Sequence, residues 1–183
     1  FQKNSLRKTI RELKARGGKN ELRMFLTGPA GAGKTTAVKV SQKFCSEFCR
    51  SSGMMFSDNT FFFTAYTGSA ASMCGGRTIL KAAQVPAKGS LGPLKKETQK
   101  LWKDVKILII DEISFMNDQQ LHKLDQRLKE LNDCNKPFGG FSVIFSGDFR
   151  QLQPGNGSNK SLIYSSQSSG LFELSLNAIL ILN

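Results

Sequence analysis

The chain has 183 residues, 39% of them hydrophobic, enough for one domain with a sizeable buried core. No apolar run approaches the ~20 residues of a membrane span, and the opening stretch FQKNSLRKTIRELKARGG is polar and basic, unlike a signal peptide. A net charge of +12 and a pI near 9.8 point to a polyanionic partner, most often nucleic acid, and no long amphipathic basic helix points to a membrane surface instead.

Taken in chain order, residues 1–16 carry Leu6, Ile10 and Leu13 at helical spacing, and RGGKN at 16–20 is a stop signal. The sequence starts at Phe1 and not at a methionine, which reads as a piece of something longer. LRMFLT (22–27) reads as a buried strand, and 34 to about 49 as a helix with Val38, Phe44 and Phe48 among its apolar positions. TFFFTAY (60–66) reads as a second strand. The Gly- and Pro-rich stretch 75–93 reads as mostly loop, and LKKETQKLW as a helix. VKILIIDE (105–112) is continuously apolar, as suits a central strand buried on both faces of a parallel sheet. Leu121, Leu124, Leu128 and Leu131 make 118–131 an amphipathic helix. FSVIFSGD (141–148) reads as another strand. LFELSLNAILIL near the end fits a strand or a helix. Strands alternating with helices predict an α/β fold around a mostly parallel sheet flanked by helices.

The four cysteines (Cys45, Cys49, Cys74 and Cys134) form no C-x-x-C pair, and His122 is the one histidine. That argues against zinc and for a reducing compartment.

The stretch Gly28-Pro29-Ala30-Gly31-Ala32-Gly33-Lys34-Thr35, followed by Thr36, fits G-x-x-x-x-G-K-[ST]. Small residues let backbone N–H groups curl around phosphate oxygens, and the following helix aims its positive end at the same anion. Lys34 reaches the β- and γ-phosphates, and Thr35 offers a hydroxyl to Mg²⁺. Asp111 and Glu112 close the ILII strand, at the end where ligands collect in a parallel sheet. Asp111 suits the metal, and Glu112 suits orienting and deprotonating an attacking water. TAYTGSAASMCGGRTI (64–79) reads as an open loop whose Thr, Ser and backbone groups suit sugar-phosphate contacts. Gln151, in GDFRQLQP, is placed to touch a γ-phosphate or its water.

In this order, GPAGAGKT, TAYTGSAA…GGRTI, IIDEIS and PFGGFSVIFSGDFRQLQP resemble the superfamily-one DNA helicases of the Pif-one (petite integration frequency) type, Helitron-like helicase domains included. The likeness covers about 20–154, and PFGG leading into GDFRQL is its most specific element. It implies one RecA-like P-loop NTPase domain over 1–183: a leading helical segment at 1–20, a motif-bearing core at 21–154, and a loop with a C-terminal element at 155–183. It implies ATP and Mg²⁺ as cofactors, and 5′-to-3′ unwinding by the whole enzyme. By motif match, Lys34, Glu112 and Gln151 are catalytic, and Thr35 and Asp111 hold metal. Thr64, Thr67, Gly68 and Thr78 lie along a DNA strand. Gln2 is the candidate adenine reader. Where the family places His and Ser after G-x-T-[IL], this chain has Leu80 and Lys81, and Lys81 offers a charge contact to phosphate.

The implied partners are single-stranded DNA, DNA junctions and a second RecA-like domain that would follow LSLNAILILN, with no membrane and a monomeric state. The implied setting is intracellular: nucleus or mitochondrion, in repair, recombination and telomere maintenance. Without the second domain and its arginine finger, these residues are expected to bind nucleotide, hydrolyse it poorly and not unwind DNA. Phe62, Phe63, Tyr66 and Trp102 are candidates for base stacking, although phenylalanines in strands are more often core. Two rivals stand beside this reading. One is a P-loop enzyme of another class, such as a small-molecule kinase. The other is a non-catalytic module switched by ATP.

Overall fold

The computed structural model describes residues 21–57, 59–73, 76–150, 163 and 170–182. The leading segment 1–20 with Gln2, the stretch with Gln151, and Cys74 lie outside the described residues.

Among the described residues, six strands form one sheet: β1 (Arg23–Thr27), β2 (Phe61–Ala65), β3 (Arg77–Thr78), β4 (Ile107–Asp111), β5 (Ser142–Gly147) and β6 (Ala178–Ile181). Their order is β3-β2-β4-β5-β1-β6, and every pairing among them is parallel. All carboxyl ends therefore share one edge. The helices are α1 (Lys34–Ser51), α2 (Gly68–Met73), α3 (Ile79–Ala82), α4 (Lys96–Trp102), α5 (Asp118–Asn132) and α6 (Leu171–Ser175).

Strand alternation sends side chains to two faces. Met24, Leu26, Phe61, Phe63, Ile109 and Ile144 meet Val38 of α1 on one face. Phe25, Phe62, Leu108, Ile110, Val143 and Phe145 meet Leu121, Leu124 and Leu128 of α5 on the other. Each fully buried leucine contributes roughly 1.5–3 kcal/mol of transfer free energy. Helix α5 starts at a capping box, with Asn117 accepting from the Gln120 N–H at 2.9 Å while Gln120 Oε1 reaches back to the Asn117 N–H at 3.3 Å.

Four expectations change or gain detail. Residues 68–73 form helix α2, not an open loop, with the Ala71 N–H bonded to the Thr67 carbonyl at 3.1 Å. The 75–93 stretch is mostly loop as expected, but it also holds β3 and α3, anchored by Ile79, Ala82 and Ala83 in the core. The C-terminal run is both helix and strand, α6 and then β6. Phe44 and Phe48 stay 38% and 39% exposed, because α1 buries only the narrow stripe that faces the sheet, at Val38 and Ser41. Their rings instead stack on each other, 6.4 Å apart.

Candidate nucleotide-binding site

Strand β1 runs directly into the glycine stretch. Gly28 is buried against the last described turn of chain, where a Cβ would come within 2.4 Å of the Leu182 carbonyl oxygen. Gly33 sits at φ 84°, ψ 19°, a left-handed conformation that glycine adopts freely, and it starts α1 with no side-chain cap. The first turn of α1 carries no acidic residue. Its N–H groups and the positive end of an 18-residue helix are left for an anion. Lys34 Nζ donates to the Gly28 and Pro29 carbonyls at 2.6 and 2.9 Å, folded over the loop it belongs to. Thr35 is half-buried beside it; Pro29, Ala30, Gly31 and Thr36 are exposed, and Ala32 packs against the α1-side core.

Asp111 and Glu112 stand at the end of β4. Asp111 Oδ1 accepts from the Glu112 N–H at 2.9 Å, and the Asp111 carbonyl accepts from the Tyr66 N–H at 2.9 Å. Between β4 and β1 lies β5 alone. Two strand spacings, roughly 10 Å, separate the acidic pair from the phosphate loop, a gap that the loop and a bound polyphosphate would bridge. Glu112 is left-handed, at φ 56° and ψ 37°, a strain of order 1–3 kcal/mol for a residue with a side chain. Its Oε2 accepts from the Thr67 hydroxyl.

Ser146 is the residue that sequence reading missed. It is 1% exposed, and its hydroxyl has no partner among the described residues. Alternation puts it on the face of Ile144, next to Leu26 on β1, and continuing the β4–β5 register by one step sets it level with Asp111. A buried hydroxyl without a partner is rare unless something polar completes it. With the Thr35 hydroxyl and the Asp111 carboxylate, the donors here are all hard oxygens, the set that suits Mg²⁺. The sequence signal was weak: one serine in an apolar strand.

The predicted strand contacts divide. Thr67, Gly68, Thr78 and Lys81 lie at the carboxyl ends of β2 and β3, half-buried or exposed, on the edge that carries the phosphate loop. Thr64 does not belong with them. It is fully buried, and its hydroxyl donates to the Ile109 carbonyl, tying β2 to β4. Phe62, Phe63 and Trp102 are core: Trp102 is 1% exposed, its Nε1 bonded to the Ala82 carbonyl at 2.9 Å. Tyr66 is half-buried, with its hydroxyl on Gln120 Oε1 at 3.0 Å. None of the aromatics buried in the sheet is available to a base. A concavity of about 1000 Å³ between the 87–91 loop and α5 contains none of the motif residues.

The hydrogen bond from Lys136 holds the Glu21 carboxyl below its ordinary range, and burial pushes the Cys45 thiol up.

A phosphate loop between β1 and α1, with an acidic pair two strands away on a parallel sheet, defines a P-loop nucleotide-binding domain. Residues 2–180 match the family model described as PIF1-like helicase, and the chain belongs to that family. It is 32% identical over 143 residues to the ATP-dependent DNA helicase RRM3 of Saccharomyces cerevisiae, covering 74% of this chain and 19% of that protein. The crystal structure of Pif1 helicase from Candida albicans superposes with a TM-score of 0.69 at 28% identity, covering 94% of this chain and 38% of that one. Pif1 helicase from Bacteroides, in complex with ADP-AlF3 and ssDNA, superposes at 0.64 with 25% identity, covering 96% and 41%. The fold is thus RecA-like, and the chain spans 15–20% of the length of these curated relatives.

Proposed function

We propose that this chain is the first RecA-like motor domain of an ATP-dependent DNA helicase that binds single-stranded DNA and unwinds duplexes 5′ to 3′. The observation that carries the reading is the convergence of Lys34 and Thr35 with Asp111 and Glu112 on one sheet edge. We read 1–183 as one domain, working with a second RecA-like domain of the full-length protein and acting on DNA junctions as a monomer.

Each residue then has a task. The 28–33 backbone and the α1 N-terminus hold the phosphates, and Lys34 leaves the Gly28 and Pro29 carbonyls for the β- and γ-phosphate oxygens. Thr35 and Asp111 hold Mg²⁺, which supplies charge neutralisation on the terminal phosphates when bound. Glu112 takes a proton from water as that water's oxygen bonds to the γ-phosphorus and the bond to the ADP oxygen breaks. Thr67, Gly68, Thr78 and Lys81 line the strand, and the surplus of basic residues holds its backbone. Gln151 as γ-phosphate sensor and Gln2 as adenine reader complete the proposal.

The test measures anisotropy of a labelled single strand and of its duplex at two salt concentrations, with and without a non-hydrolysable ATP analogue. The expected result is a salt-sensitive preference for the single strand that shifts with nucleotide. Lys34→Ala should weaken nucleotide binding about 10- to 100-fold, the range for hydrogen bonds to charged groups, and abolish the shift. Strand binding by the full-length protein that ignores nucleotide would sink the reading.

A further inference from the structure

The carboxylate that the proposed function asks to activate water is already engaged. The Thr67 hydroxyl donates to Glu112 Oε2. Thr67 is the second residue past β2, and β2 borders β4 on the side away from β5 and β1. The phosphate loop follows β1, on the opposite side. A carboxylate drawn to Thr67 is therefore drawn away from the phosphates it would serve. The left-handed backbone of Glu112 is a second sign, since such a conformation persists only where neighbours hold it.

We propose that Thr67 is a positioning residue that restrains Glu112, and that a nucleic-acid backbone phosphate reaching Thr67 releases it, so that strand binding switches on hydrolysis. The proposal rests on the strand-binding reading above. A threonine hydroxyl has one hydrogen to donate. A phosphate oxygen and the Glu112 carboxylate compete for it, and two anions brought to the same donor repel each other. An arriving phosphate takes the hydrogen bond and drives the carboxylate back toward the β5 and β1 side. Thr67 also accepts from the Ala70 N–H, at a long 3.4 Å, so a bare role in starting α2 must be separated from the restraint.

Two measurements on the full-length protein do so. The first is ATP turnover without DNA and with saturating oligo-dT. Thr67→Val should raise the DNA-free rate about tenfold, the size one hydrogen bond to a charged acceptor supports, and shrink the stimulation by oligo-dT to match. Thr67→Ser, which keeps the hydroxyl, should behave as wild type, and Thr67→Ala should repeat the Val result if Val folds poorly. The second needs no nucleotide. Linkage is reciprocal, so Glu112→Gln should bind oligo-dT severalfold tighter than wild type, and most of that gain should vanish in the Thr67→Val background.

A folded Thr67 variant lacking the hydroxyl whose DNA-free rate is at or below wild type overturns the restraint. So does a Glu112→Gln gain that Thr67→Val leaves intact, since that gain is then simple loss of charge. A wild-type turnover that ignores oligo-dT overturns the strand-binding reading instead. The DNA-free rate of Thr67→Val still reports the restraint in that case, so the two failures are distinct.

Discussion

The phosphate loop at 28–35 and the Pro137–Gly140 turn are both glycine motifs with positive backbone angles, and they put that freedom to opposite uses. In the loop, Gly31 stands at φ +79° with nothing within 4 Å of a built Cβ, and the helix after it starts without a cap. Its donors are left open. In the turn, Gly139 at φ +63° lies so close to α5 that a Cβ would sit 2.1 Å from the Leu128 carbonyl oxygen. Asp125 accepts from the Phe138 N–H at 2.6 Å and pairs with Lys129 at 2.7 Å, while Asn132 donates to the Gly139 carbonyl at 2.6 Å. PFGG opens the stretch, running into GDFRQL, on which the family resemblance leans hardest, yet it is a packing device that seats α5 on the sheet. Specificity of a motif and possession of chemistry are separate properties.

Substitutions should break this comparison cleanly. Gly139→Ala meets both the forbidden angle and the carbonyl, and should cost more than about 4 kcal/mol, read as a collapsed urea midpoint. Asp125→Ala leaves the Phe138 N–H and the Lys129 charge without their buried partner. It should cost about 3 kcal/mol by the same melt, with nucleotide affinity of the folded fraction unchanged. Gly31→Ala has open space around it and should cost only about 1–2 kcal/mol of stability, the left-handed penalty alone. Its effect should fall on the site instead, weakening nucleotide binding about tenfold in a fluorescence titration. If Gly31→Ala harms stability more than Gly139→Ala does, the assignment of the two motifs is reversed.

The smallest effect concerns Glu21, which lies two residues before β1 and accepts from Lys136, the residue before the packing turn, at 2.6 Å. The lysine depresses the Glu21 pKa, so this contact stabilises the fold above the ordinary carboxylate range and is lost as pH falls through the lower folded value. Urea melts at about pH 6 and about pH 3 should show that loss in wild type and a smaller one in Lys136→Met.

The chemistry-bearing edge was legible because its signals are local. A glycine stretch between an apolar run and a helix, and an acidic pair ending an apolar run, need no tertiary information. What the sequence hid depends on neighbours distant in the chain. Thr64 is indistinguishable from Thr67 by type, yet it lies within β2, which is buried at every position, and bonds the Ile109 carbonyl, whereas Thr67 lies two residues past the strand end. Phe44 and Phe48 keep helical spacing but miss the sheet, because one helix face covers only a narrow stripe. Ser146 gains meaning only from β1 and β4 on either side of it. Residues 77–82 looked like loop by composition, and became ordered because Ile79 and Ala82 reach the core.

The strand order carries a consequence for biosynthesis. Strand β1 leads the described chain, but its hydrogen-bonded neighbours are β5 and β6, the last two of the described strands to be made. Its pairing is non-local on both sides, the kind of contact that forms late. A nascent chain on the ribosome would hold the β2–β4 pair long before β1 could be flanked, and Gly28 would wait for Leu182 to reach its final packing. Nucleotide capture would thus report that synthesis has passed Leu182, and ATP would act as a ligand that favours chains in which β1 is flanked on both sides.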